Sequence, residues 1–162
     1  TDEMSKGDYV FIQFGHNDEV PTKASATKPD EFRANLVKYV TDTKDKEAIP
    51  VLLTSVARRS FDSTGKITDT HKEYSAIVKE VAAEQKVIFF DMNKLTIQFY
   101  EETGVEKSKS FFLHFKPGEQ TNYPTGVTDN THFSESGAKQ IAGIVLSQIK
   151  KHMPDLAKRI IK

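Results

Sequence analysis

Tyr9-Val10-Phe11-Ile12-Gln13-Phe14 runs directly into Gly15-His16-Asn17-Asp18. The first six residues form a nearly continuous apolar run rich in aromatic and β-branched side chains, the pattern of a strand covered on both faces. Gly15 and the polar residues after it stop the strand. In an open α/β sheet, ligands bind beyond the carboxyl ends of the strands. Asn17 therefore carries a side-chain amide donor where a site is expected.

Outward from this strand, the chain alternates between two periodicities. Pro21 to Lys28 is a polar loop. Pro29 suits a first helical turn, and Phe32, Leu36, Tyr39, Val40 and Thr43 follow helical spacing to about Lys46. Val51 to Val56 reads as a second strand and Arg58 to Asp69 as a loop. Thr70-His71-Lys72-Glu73 has capping-box spacing, followed by a stripe of Tyr74, Ile77, Val78, Val81 and Ala82. Val87 to Asp91 reads as a third strand. A shorter helix starts after Asn93 and stops at Gly104, a suitable C-terminal cap. Lys107 to Thr131 reads as a long loop. Ser134 caps a last helix with Ala138, Ile141, Ala142, Val145 and Ile149 on one face, and Pro154 ends or kinks it. Strands alternating with helices imply an α/β protein with a parallel sheet and helical crossovers.

Near the other end stands Asp129-Asn130-Thr131-His132-Phe133. A carboxylate three residues before an imidazole can hold one ring nitrogen and leave the other to take a proton. With Asn17 as an oxyanion donor, these are three parts of an acyl-transfer site: base, orienter and electrostatic stabiliser.

The pair Gly15-His16-Asn17-Asp18 and Asp129-Asn130-Thr131-His132 resembles two sequence blocks of the SGNH (GDSL) hydrolases. Phe11 to Glu19, Thr54 to Phe61 and Asp129 to Gly137 are similar to the rhamnogalacturonan acetylesterase branch, and the similarity runs from about Gly7 to Lys151. The resemblance implies a three-layer αβα, flavodoxin-like parallel sheet of order 2-1-3-4-5. This chain would supply strands 3, 4 and 5 and be incomplete at the N-terminal side. Residues 1–162 would then be one SGNH hydrolase-like domain, in its C-terminal portion. That family opens with a Gly-Asp-Ser block carrying the nucleophile. Gly7-Asp8-Tyr9 has tyrosine at the third position and leads into the wrong strand. No nucleophile is assigned within this chain, and Ser134 is the first serine to check although a cap role suits it better.

The resemblance assigns His132 as general base, Asp129 as the group fixing its tautomer, and Asn17 as the oxyanion donor. Gly15 would allow close backbone approach, and Asp18 would hold the loop. His16 is either a substrate-side contact or a surface residue. One of Arg58 and Arg59 meets an acidic sugar, since a guanidinium matches a carboxylate, or makes a structural ion pair. Tyr123 is either a sugar-stacking wall or a packed loop anchor.

Composition narrows the partners. Lys plus Arg and Asp plus Glu both number 23, so neither nucleic acid nor an anionic membrane is implied. No apolar run approaches membrane-spanning length. There is no cysteine, which removes disulfides and thiolate zinc sites. The five histidines lack ligand spacing, so no metal is assigned, and no cofactor is expected. The expected substrate is an acetylated plant polysaccharide or oligosaccharide such as pectic rhamnogalacturonan, attacked by a secreted or periplasmic serine O-acetylesterase. The alternative is an inactive or carbohydrate-binding module of the same fold. The edge at residues 9–14 is expected to be covered, by an N-terminal polypeptide or by self-association.

Overall fold

A computed structural model of the protein describes residues 3–160. They gather into two compact units. One comprises the residues up to Val56 with His71–Asn93, the other Ala57–Thr70 with the residues from Lys94 onward.

The first unit contains β1 (Tyr9–Gln13), α1 (Pro29–Asp45), β2 (Ile49–Leu53), α2 (Lys72–Gln85) and β3 (Ile88–Phe90). The strands form a parallel sheet in the order β1-β2-β3, with Phe11 opposite Val51 and Val51 opposite Ile88. A core forms where Ile12 and Leu52 meet Phe32, Leu36 and Val40 of α1 and Tyr74, Val78 and Val81 of α2. The spacing on α1 turns Phe32, Leu36, Val40 and Thr43 inward as the sequence pattern predicts, whereas Tyr39, expected on the same stripe, is exposed. Pro29 opens α1, and the Lys28 N–H donates to the Glu31 carboxylate at 3.1 Å.

α2 begins at Lys72 with His71 in the cap position and no side-chain cap, so the box expected from Thr70 and Glu73 does not form. The Thr70 hydroxyl instead accepts a hydrogen bond from Arg58 Nη1 at 3.0 Å. β1 pairs with β2 alone among the described strands. Phe11 is 40% and Phe14 47% exposed, and Phe14 stacks on Tyr39 with ring centroids 5.3 Å apart.

The second unit continues α3 (Met92–Thr103) into a 3-10 turn at Lys107–Phe111, then β4 (Phe112–Phe115), β5 (Val127–Phe133), α4 (Glu135–His152) and the short α5 (Pro154–Ala157). Gly104 ends α3 at φ +87°, its N–H donating to the Tyr100 carbonyl at 2.9 Å. The expected long loop is in fact an antiparallel hairpin of β4 and β5. Phe112 is buried against Tyr100, and Phe133 packs beside it. Aromatic residues at both strand ends thus anchor a segment whose middle reads as polar loop.

Ser134 caps α4 as expected: its Oγ accepts from the Gly137 N–H at 3.1 Å and donates to the Ser110 carbonyl at 2.7 Å. The inward face of α4 differs from expectation. Ile141, Ile144, Val145 and Ile149 are half-buried, whereas Ala138 and Ala142 are exposed.

Candidate active site

In the first unit, the site is built at the carboxyl end of β1. Gly15 is buried at φ +115°, a conformation that disfavours any side chain. A Cβ there would lie 3.4 Å from Phe32 and 3.5 Å from Ser55 Oγ. The Gly15 N–H donates to Asp18 Oδ2 at 2.9 Å, and the Asp18 carbonyl accepts from the Thr27 N–H at 3.0 Å. Asp18 is therefore the loop holder the sequence suggests. The Asn17 carbonyl accepts from the Val20 N–H at 3.1 Å, which closes a tight turn. Asn17 itself is exposed and lines a cavity of about 380 Å³ with Gly15, His16, Ser25, Asn35 and Ser55. Ser55 Oγ donates to the Phe14 carbonyl at 3.2 Å.

His16 does not stand alone. Its ring lies 4.9 Å from that of His71. His71 is 1% exposed, with Nδ1 2.6 Å from Glu19 Oε1. A buried imidazole is tolerated when a carboxylate meets it. Glu19, His71 and His16 form a chain of contacts that sequence reading missed. No periodicity marks either His71 or Glu19, and only folding brings them together.

In the second unit, Asp129 and His132 lie in β5 rather than in a loop. The two steps from Phe112 to His114 face the five from Thr128 to Phe133, so β5 bulges across Asp129–His132. Asp129 shapes that bulge. Its Oδ1 accepts from the Thr131 N–H at 2.6 Å and the His132 N–H at 3.0 Å, while Oδ2 lies 2.6 Å from His132 Nδ1. Burial, the largest single influence on the Asp129 carboxyl, pushes it up. The hydrogen bonds from the His132 ring, the His132 N–H and the Thr131 N–H together outweigh it and hold the group below the ordinary carboxylate range. The carboxylate thus stays charged and fixes the proton on Nδ1. The His132 side chain is 74% exposed, and Nε2 is the nitrogen left to accept a proton.

The arginines divide. Arg59 is 6% exposed and its guanidinium is engaged by oxygens of Ser108, Asn130 and Val105. Burial pushes it down, and Glu106 opposes that. These partners are all neutral oxygens. Arg58 borders a 460 Å³ cleft with Ser60, Phe61, Glu106 and Thr131. Tyr123 stacks on Phe115 with centroids 6.1 Å apart, and its N–H donates to the Gln120 carbonyl at 2.9 Å. Among the described residues no three His, Asp or Glu side chains gather to hold a metal, and no helix is long and apolar enough to cross a membrane.

A parallel sheet ending in Gly-His-Asn-Asp and a carboxylate-held histidine at Asp129–His132 are features of one class of hydrolase. Residues 2–140 match the GDSL-like Lipase/Acylhydrolase family, and the chain belongs to that family. It is 42% identical over 151 residues to the rhamnogalacturonan acetylesterase RhgT of Bacillus subtilis (strain 168), covering 93% of this chain and 64% of that one. It is 30% identical over 168 residues to the probable rhamnogalacturonan acetylesterase YesY of the same strain, covering 99% and 70%. The crystal structure of the Bacillus subtilis protein YxiM superposes with a TM-score of 0.74 at 24% identity, over 91% of this chain and 38% of that one. The chain thus spans about two thirds of the length of the two acetylesterases.

Proposed function

We propose that the protein is a carbohydrate O-acetylesterase, with His132 as general base, Asp129 as its orienter and Asn17 as an oxyanion donor. The observation that carries this reading is the 2.6 Å pairing of His132 Nδ1 with Asp129 Oδ2 on an otherwise exposed imidazole. Such a ring is held in one tautomer yet open to a reacting group. In this reaction His132 Nε2 takes the proton of a serine hydroxyl as its oxygen attacks the acetyl carbonyl. The Asn17 amide donates to the negative oxygen of the tetrahedral intermediate. The same proton then passes to the departing sugar alcohol, and water repeats the sequence to release acetate from the acetyl-serine.

No Gly-Asp-Ser occurs within residues 1–162. The roles assigned to these residues therefore extend to base, orienter and amide donor. Pectic rhamnogalacturonan is the proposed substrate because RhgT and YesY bear that name. A polymer of that size does not enter a cell, which supports a secreted or periplasmic site of action. The experiment is acetate release from acetylated rhamnogalacturonan oligosaccharides by the intact protein and its His132→Ala variant. Activity lost with His132 supports the proposal. Equal release by both, or release by neither, defeats it.

A further inference from the structure

The bulge that carries Asp129 and His132 is gripped by Arg59. The Arg59 backbone N–H donates to the Asn130 carbonyl at 3.0 Å, and its Nη1 donates to Asn130 Oδ1 at 2.8 Å. The rest of the guanidinium is fixed as well. Nε donates to Ser108 Oγ at 3.0 Å and Nη2 to the Val105 carbonyl. The guanidinium carbon lies 5.3 Å from the centre of the Phe61 ring. From the other side, His114 Nε2 lies 2.9 Å from the same Asn130 Oδ1. A guanidinium only donates, so the amide oxygen faces it. That oxygen has two lone pairs and accepts from His114 as well, which requires a proton on His114 Nε2.

A bulge lacks the regular ladder bonds that hold a strand in place. The Asp129 side chain fixes the internal shape of residues 129–132, but its bonds are all within that segment. The placement of the segment against the rest of its unit needs a second set of contacts. Asn130, next to Asp129 and two residues from His132, provides it through its carbonyl and its side chain.

The geometry points to Arg59, Asn130 and His114 as positioning residues that set where the His132 imidazole sits. This rests on the reading of His132 as the general base. None of the three touches the reacting atoms. They act by holding the bulge, and Arg59 acts from the buried side.

The test uses the intact protein with Asn130→Leu and Asn130→Asp. Leucine removes the shared acceptor while keeping the backbone bond from Arg59 N–H. Aspartate keeps the acceptor. His114→Leu and His114→Gln form a second pair at a half-buried surface position, which keeps the test alive if Asn130→Leu does not fold. Two readouts are taken: the ¹⁵N ring shifts of His132, which report its tautomer and its bond to Asp129, and the split between kcat and KM for acetate release. Misplacing a catalytic group by about 1 Å costs roughly 100-fold. Asn130→Leu is therefore expected to lower kcat by ~10- to 100-fold with KM within about twofold, and to disperse the His132 signals. Asn130→Asp and His114→Gln are expected to stay close to the parent protein. Unchanged His132 signals and kcat in both leucine variants would overturn the proposal. A parent protein whose His132 carries no proton on Nδ1 would instead defeat the general-base reading itself.

Discussion

The first turn of α4 lies directly on the end of the 3-10 turn: a Cβ on Gly137 would clash with the carbonyl oxygen of Phe111. That same oxygen accepts the Ser134 N–H at 3.0 Å, so the contact belongs to the start of α4 and is not incidental crowding. Gly137→Ala must push α4 away or lose that bond. Overpacking of this kind costs about 1–3 kcal/mol, and a fall in urea midpoint at constant slope would report it. Gly143, also in α4, meets nothing within 4 Å. Gly143→Ala is expected to stabilise by roughly 0.5–1 kcal/mol through helix propensity. If both variants behave alike, Gly137 has room for a side chain and does not press on Phe111.

Gly15 and Asp18 are expected to act together. Gly15→Ala places a side chain at φ +115°, a strained region costing about 1–3 kcal/mol. Asp18→Ala leaves the Gly15 N–H without its carboxylate acceptor, a loss of around 1 kcal/mol. Because the Gly15 conformation and the Gly15–Asp18 bond both shape the Asn17 turn, each variant should lose more activity than its stability loss accounts for at a temperature where it remains folded. Kinetics beside thermal denaturation decide this.

Asp129 sets a pH dependence. Its folded carboxyl lies below the ordinary range, while the unfolded group titrates near pH 4. A depressed carboxyl contributes stability that is fully present above the unfolded value and is lost as pH falls through the folded one. Denaturation between about pH 5 and pH 2 should therefore show a steeper acid loss in the parent protein than in Asp129→Asn. Parallel pH profiles would mean that the carboxylate gains nothing on folding.

Asn17→Ala separates transition-state from ground-state binding. An amide aimed at the developing oxyanion is worth about 10²- to 10³-fold in kcat, with little change in KM. A rise in KM at constant kcat would instead make Asn17 a ground-state substrate contact.

Among the described strands β1 leaves one edge unpaired, with Phe11 in the strand and Phe14 just past its end. Aromatic edge strands without charge favour pairing between chains, and lysine blunts them. Sedimentation at rising concentration should show association that Phe11→Lys with Phe14→Lys reduces. A monomer at every concentration would show that the edge is tolerated bare.

The fold of the first unit was legible because its signals are local. The apolar run at Tyr9–Phe14 and the four-residue stripe of Phe32, Leu36 and Val40 became β1 and α1 with boundaries close to those expected. The Asp129–His132 pair was legible for the same reason, being three residues apart. The β4–β5 hairpin was not. Burial alternates along β5, but its less exposed positions include Asp129 and Thr131, so the polar residues from Thr128 to His132 mimic a loop. The cap at α2 failed because Thr70 is taken by Arg58, a contact no window of sequence around the helix contains. His71–Glu19 and Arg59–Asn130 were illegible as well, since each joins residues more than fifty positions apart.

The short span between Asp129 and His132 also bears on how the site is acquired. Bringing two groups together costs chain entropy that grows with the length of the loop closed. Here that loop is minimal, whereas pairing Arg59 with Asn130 closes one of 71 positions. The carboxylate and imidazole can therefore meet in a locally ordered hairpin, while their placement waits for contacts that form across the chain and rise more slowly. Partial unfolding of the protein should release the grip of Arg59 first and leave the tautomer of His132 intact longest.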